Sequence, residues 1–327
     1  LTISGELDAA TLDISGNADI DGDIDVDGRS NLDIVDIDVS LDVNGTIKLD
    51  GNYPTGSNNV ALGDTALDSV EAGGVSNTAI GSLAGTAITT GDSNIAIGHE
   101  ALKTNTTASC NTSIGTASLR DNTTGCSNVA IGTNAMLVNT EGCFNTAVGR
   151  TALDANTTGD RNVAIGLSAL SSNTTADCNV AVGQSSLGAN TTGANNVAVG
   201  HLALLANTTA ANNTAVGMNS LTSNTTGASN TSVGRSALAA NTTGATNVAL
   251  GCGALNANTE GACNTAVGAC ALKTQTTANQ NTAIGMLSMA ATTSGIRNTA
   301  VGRQSMCANT TGCCNVAVGS NALASGT

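Results

Sequence analysis

The sequence predicts an all-β protein, a parallel β-solenoid built from 17-residue rungs. The pentapeptide Asn-(Thr/Val/Ile)-(Ala/Ser)-(Val/Ile/Leu)-Gly occurs sixteen times, and after one 18-residue step every spacing is 17 residues. The chain has no Trp, one Phe, one Tyr and one Pro, a composition that suits a thin, repetitive core. Its density of Gly, Asn and Thr excludes a helical repeat. The pentapeptides start at Asn59, Asn77, Asn94, Asn111, Asn128, Asn145, Asn162, Asn179, Asn196, Asn213, Asn230, Asn247, Asn264, Asn281, Asn298 and Asn315.

Charge divides the chain into two regions, an acidic β-rich shaft segment at 1–58 and the repeat array at 59–327. Residues 1–50 carry 13 acidic and 2 basic side chains, whereas residues 51–327 carry 11 and 8. Apolar and acidic residues alternate over 12–50, with glycine-containing breaks, which predicts short strands with an acidic outer face. We expect the chain to be a segment of a longer polypeptide.

Positions 1 to 4 of each rung, counted from the pentapeptide Asn, read as a strand. Positions 2 and 4 are β-branched or Leu, and we expect them to face the solenoid interior. Position 3 is only Ala or Ser, which predicts a face pressed against another chain and therefore an oligomer, expected to be a homotrimer. The predicted inter-chain packing residues are Ala147, Ala164, Ala181, Ala198 and Ala215.

The remaining positions predict bends and a second strand. Position 5 is always Gly, which indicates a positive φ or a close backbone approach; examples are Gly149, Gly166, Gly183 and Gly200. Position 8 is Ala or Ser and position 9 is nearly always Leu or Met, a pair expected to form the second strand. Positions 12 to 15 read mostly Asn-Thr-Thr-Gly, which is turn chemistry. The recurring Asn side chains either form turns or stack into ladders along the axis.

The units NTAVGRTAL (145–153) and NVAIGLSAL (162–170) resemble the head repeats of trimeric autotransporter adhesins. Similar arrays occur in predicted phage tail fibres. The resemblance covers 59–327 and implies a left-handed parallel β-roll assembled as an intertwined homotrimer. The 17-residue period is longer than that of the commonest adhesin head repeat.

Two functions follow as expectations. The first is a phage tail-fibre shaft in the virion, which joins virion attachment proteins to a receptor-binding tip for host attachment, both lying outside the segment. The alternative is the head of a trimeric adhesin on a bacterial surface, which binds host or matrix. The acidic segment before Asn59 favours the fibre. An ice-binding solenoid is a minor alternative, because Thr recurs at positions 13 and 14.

No residue constellation predicts catalysis or a cofactor, so we expect a non-enzymatic protein. The absence of a basic patch argues against nucleic-acid binding, and no apolar run is long enough for membrane insertion. Asp23 to Gly28 match the start of an EF-hand loop, but Ile34 stands where a bidentate Glu is needed. Only adventitious Ca²⁺ or Mg²⁺ binding is expected near Asp19–Asp27.

The chain has ten cysteines and no CxxC pair with zinc-ligand spacing. Cys126 and Cys143 occupy position 16 of adjacent rungs. Their Cα atoms are therefore expected to lie one strand spacing apart, within disulfide range. The sequence leaves open whether the bond forms, and a reducing cytosol would keep the thiols free.

Overall fold

The computed structural model describes residues 56–325, so the predicted shaft strands of 12–50 and the Asp19–Asp27 cluster lie outside the described residues. Sixteen three-residue strands, one per rung, pair in chain order in a single parallel sheet. The predicted β-solenoid with 17-residue rungs is thereby confirmed. The strands are β1 (Val60–Leu62), β2 (Thr78–Ile80), β3 (Ile95–Ile97), β4 (Thr112–Ile114), β5 (Val129–Ile131), β6 (Thr146–Val148), β7 (Val163–Ile165), β8 (Val180–Val182), β9 (Val197–Val199), β10 (Thr214–Val216), β11 (Thr231–Val233), β12 (Val248–Leu250), β13 (Thr265–Val267), β14 (Thr282–Ile284), β15 (Thr299–Val301) and β16 (Val316–Val318).

The register of the sheet pairs each repeat position with itself. Thr146 pairs with Val163, and Ala147 pairs with Ala164. The 18-residue first step keeps this register, since Val60 pairs with Thr78. Each rung therefore contacts only its neighbours, as in other solenoids.

The second strand predicted at positions 8 and 9 is wrong, because this part of the rung is a turn. The backbone has positive φ at positions 7 and 9, for example 52° at Thr151 and 53° at Leu153. An L-residue with positive φ is not extended, so the chain curls where a strand was expected. The turn still forms inter-rung bonds: the Leu153 N–H donates to the Ala169 carbonyl at 3.0 Å.

The predicted facing of the strand is also wrong. Positions 2 and 4 lie outside, while position 3 points into the rung together with positions 8 and 9. A single 17-residue rung leaves little interior space, so it takes the small side chains and one Leu or Met per rung. The five alanines predicted to pack between chains, at 147, 164, 181, 198 and 215, have 0% exposure within one chain. They therefore have no surface left for contact with a second chain.

The serines confirm that positions 3 and 8 face each other inside the rung. Ser113, at position 3, hydrogen-bonds Ser118 at position 8 of the same rung. Ser232, also at position 3, accepts a hydrogen bond from Ser220 at position 8 of the preceding rung, at 2.7 Å. Both position-3 serines thus satisfy their hydroxyl groups within the core, as buried polar groups must.

The position-5 glycines form the bend after each strand. Gly149, Gly166, Gly183 and Gly200 have φ of 134°, 133°, 132° and 134°. A Cβ added at Gly149 would lie 2.5 Å from the carbonyl oxygen of Gly166 on the next rung. Glycine is required here for both reasons, the positive φ and the close backbone approach.

Candidate assembly surface

A column of buried asparagines at position 1 joins successive rungs. The Oδ1 of Asn179 accepts the backbone N–H of Asn196 at 2.9 Å, and its Nδ2 donates to the Gly193 carbonyl at 2.9 Å. The same backbone-to-Oδ1 bond recurs from Asn59 to Asn315. Of the two interpretations of these residues, the structure therefore shows the ladder.

A second buried ladder runs along position 12. Asn156 Nδ2 donates to Asn139 Oδ1 at 2.8 Å and to the Gly159 carbonyl at 3.0 Å. That carbonyl also accepts a bond from Asn145 of the first ladder at 2.8 Å. Where position 12 is Asn or Gln, the position-15 carbonyl thus joins the two ladders within the rung.

The outer face of the sheet is an apolar surface, here called the aliphatic strip and defined as positions 2 and 4 of β1 to β16. Position 4 is always Val, Ile or Leu, and position 2 is Thr, Val or Ile, so the strip contains no charged side chain. Its members range from partly buried to exposed: Val148 is partly buried, whereas Ile165 is 40% exposed and Leu250 is 38% exposed. A surface of this kind, repeated on every rung, is a candidate interaction site.

The dimensions of the aliphatic strip match those of a protein interface. Sixteen strands at about 4.8 Å spacing give a length of about 75 Å, and three residues at about 3.3 Å give a width of about 10 Å. The product of length and width is about 750 Å². It is close to the ~800 Å² that each partner buries in a stable complex.

Polar residues border the aliphatic strip on one side. Position 6 is also on the surface and varies between rungs, with Arg150, Gln184, His201 and Arg235 among its occupants. Leu167, Met218 and Met286 extend the apolar area at this position. An apolar centre with a polar rim is the usual arrangement of protein interfaces.

The threonines at positions 13 and 14 have different environments. The Thr157 hydroxyl, at position 13, donates to the Thr174 carbonyl at 3.0 Å, and this bond recurs along the array. Thr158, at position 14, is exposed in the turn. The position-13 hydroxyls therefore stabilise the stack of rungs, and the position-14 column is the one that faces solvent.

Ionisable side chains are sparse within 56–325. Lys103 forms an ion pair with Glu100 at 2.7 Å, and its hydrogen bond lowers the pKa of that carboxyl group. Burial raises the pKa of Asp154, whose Oδ1 atom is buried and has no hydrogen-bond partner. These two carboxylates lie three rungs apart in the stack.

Position 16 is a column in which side chains accept backbone hydrogen bonds. The Cys126 N–H donates to Cys143 Sγ at 3.0 Å, the Cys143 N–H to Asp160 Oδ1 at 2.7 Å, and the Asp160 N–H to Asp177 Oδ1 at 2.8 Å. Cys, Asp, Ser and Asn can all fill this role, whereas the Ala or Ile that occupies position 16 in six other rungs offers no acceptor. Sequence spacing brought Cys126 and Cys143 together, but it did not show that position 16 accepts these bonds.

The part of the chain that the structure describes contains no cluster of three or more His, Cys, Asp or Glu side chains arranged to hold a metal ion. Within the same residues, no helix is long and apolar enough to span a bilayer. A scan against protein-family models found no match, and a search of the curated proteins found none either.

The sequence did not identify the aliphatic strip as a surface, because both faces of the strand lack charge. A usable signal was present in side-chain volume. Position 3 accepts nothing larger than Ser, whereas positions 2 and 4 vary freely among Thr, Val, Ile and Leu. Tight restriction to small residues indicates the confined face, and tolerance of branched residues indicates the open one.

Proposed function

We propose that this chain is a structural fibre element that self-associates through the aliphatic strip. The observation that carries the proposal is the uncharged, partly exposed outer face repeated on all sixteen strands. A second copy supplies a surface of the same length, spacing and chemistry. Burial of the apolar surface of the strip between copies would stabilise the assembly by about 25 cal/mol per Å². The assembly is proposed to be a homotrimer with three flat sheets around one axis.

The proposed biological role is the shaft of a phage tail fibre. A rod of equivalent rungs provides length and stiffness, and the acidic alternating segment at 12–50 resembles a fibre shaft. In this role the recognition of a host surface belongs to other parts of the fibre, and the rungs do no chemistry. The alternative is an adhesin head, in which the exposed turns and position 6 would bind host or matrix.

Self-association is tested with Ile165→Lys combined with Leu250→Lys. Both side chains are exposed in the single chain, so lysine is tolerated by the rung but places a charge inside the proposed interface. Sedimentation equilibrium should give three times the chain mass of 31.7 kDa for the parent protein and one chain mass for the variant. Circular dichroism should be unchanged.

Gln184→Lys combined with Thr133→Lys is the matched control. It adds the same two charges at position 6, where arginine already occurs at residues 150 and 235, and it should leave the assembly intact. A monomeric parent protein, or assembly of the Ile165→Lys, Leu250→Lys variant like the parent, would contradict the proposed interface.

Immunogold labelling distinguishes the two biological roles. Antibodies raised against the purified chain should label tails of virions in a lysate of the producing cells if the fibre proposal is correct. Labelling of intact cell envelopes without virions would support the adhesin instead.

Ice binding has weaker support, because the position-13 hydroxyls already donate to backbone carbonyls. Thermal hysteresis measured on the purified chain would support it, and its absence would leave the exposed position-14 column without that role.

A further inference from the structure

Cys126 and Cys143 occupy the same position in two neighbouring rungs. Their Sγ atoms lie 3.0 Å apart, and both residues are partly buried. A disulfide bond needs an S–S distance of about 2.05 Å and a Cα separation of about 4.4–6.8 Å. Equivalent positions on adjacent strands are about 4.8 Å apart, so only a small movement of the two side chains is needed.

We propose that Cys126 and Cys143 form an inter-rung disulfide, a redox-controlled latch that closes when the fibre leaves a reducing compartment. The required oxidant is a small-molecule disulfide such as oxidised glutathione. One cysteine thiolate attacks the oxidant, forms a mixed disulfide and releases one small thiol. The second thiolate then attacks the protein sulfur, forms the Cys126–Cys143 bond and releases the other small thiol. The protein loses two protons and two electrons, and the oxidant is reduced to two thiols.

The surroundings of the pair determine how fast the latch closes. Burial, together with the side-chain hydrogen bond to Cys126, raises the pKa of the Cys143 thiol to about 11, and the bond from the Cys126 N–H only partly offsets this rise. Asp160, which accepts the Cys143 N–H at 2.7 Å, disfavours the thiolate further. Cys143 must ionise in either order of attack. The rate of closure should therefore rise about tenfold per pH unit between pH 7 and pH 9.

The other cysteines provide internal controls. Cys110, Cys178 and Cys263 occupy position 17, where the adjacent rungs carry Ser, Arg, Asn, Thr or Gln. These cysteines have no cysteine neighbour at the same position, so oxidation should leave them as thiols or as mixed disulfides. At position 16, cysteines occupy adjacent rungs only at residues 126 and 143.

Peptide mapping tests the latch in the full chain. The purified protein is incubated with oxidised glutathione, alkylated and digested with trypsin. The fragment 121–150 contains Cys126 and Cys143 as its only cysteines, and Glu141 lies between them. After oxidation this fragment should carry no alkyl group, and its mass should be lower than that of the reduced fragment by the mass of two hydrogen atoms. Cleavage after Glu141 should then leave two pieces joined until reductant is added.

Hydrogen exchange tests the consequence for the fold. With the latch closed, amides between 127 and 143 should exchange at least about tenfold more slowly, because the bond restricts local opening of the loop it closes. Cys143→Ser retains an acceptor for the Cys126 N–H, so the variant should fold and should show no redox effect.

The pair Ala228→Cys with Ala245→Cys tests whether the column geometry is sufficient. Both residues occupy position 16 of adjacent rungs, and the new pair should also close under the same oxidant. Two outcomes would overturn the proposal: full alkylation of Cys126 and Cys143 after oxidation, or disulfides that join separate chains at these residues.

Discussion

The inner and outer faces of the same sixteen strands differ in side-chain size rather than in polarity. Ala164 is fully buried, and its neighbours Val163 and Ile165 in the same strand are partly exposed. The lining of the rung is completed by the two asparagine ladders, which are polar yet fully buried. In this protein the interior of a rung therefore combines small side chains, hydrogen-bonded amides and in nearly every rung one Leu or Met, whereas the branched side chains of positions 2 and 4 lie on the surface.

Among substitutions that test the difference between the two faces, loss of one ladder residue should change the free energy of unfolding most. Asn179→Ala leaves the buried N–H of Asn196 without its acceptor and removes one of two bonds to the Gly193 carbonyl. The free energy of unfolding should fall by about 3 kcal/mol. Gln184→Ala removes the same amide group from the exposed face, and denaturant unfolding should show a change below about 0.5 kcal/mol. Similar losses for both variants would show that the ladder does not stabilise the rung.

Enlargement of the inner face should have the next largest effect. Ala164→Leu forces three extra carbon atoms into a filled interior and should cost about 2 kcal/mol or more. Val163→Leu places the same side chain on the outer face of the same strand and should change stability by less than about 0.5 kcal/mol. Urea denaturation followed by circular dichroism measures both. A larger loss of stability for Val163→Leu than for Ala164→Leu would show that position 2, and not position 3, faces the interior.

The exposed turn before each strand offers a smaller, stabilising change. Thr246 is β-branched and has φ of 59°. Asn195 and Asn212 occupy the same position with φ of 59° and 61°. Thr246→Asn should therefore raise the free energy of unfolding by about 1 kcal/mol, since asparagine tolerates this conformation better. Thr243→Asn, in the same turn but without positive φ, should be neutral in the same assay.

The smallest effect is expected at Asp154, the half-buried carboxyl with an unpartnered oxygen. Because burial raises its pKa in the folded state, the folded protein binds the proton more tightly than the unfolded chain. Stability is then lost as the pH rises from below the ordinary carboxyl pKa through the raised value. At pH 7 the Asp154→Asn variant should need a higher urea concentration to unfold than the parent. At pH 3 the two proteins should unfold at the same urea concentration.

The sequence predicted the period, the parallel stacking and the glycine bends, because each depends on residues that recur at fixed spacing. It did not predict the facing of the strand. A two-residue period separates Ala164 from Val163 and Ile165, but hydrophobicity alone does not say which face is inside. The turn at positions 7 and 9 was missed because Thr151 and Leu153 give no local indication of positive φ. The cysteine pair was predictable from spacing, whereas its sulfur–sulfur distance required the coordinates.

The stacking of rungs along the chain also determines how the rod responds to force. A pull on its two ends would peel the outermost rung first, because the bonds between rungs act in series rather than sharing the load. Each peeled rung frees 17 residues, which extend to about 55–60 Å. Rupture force would therefore be independent of the number of rungs, and a longer rod would gain the capacity to absorb more work before breaking.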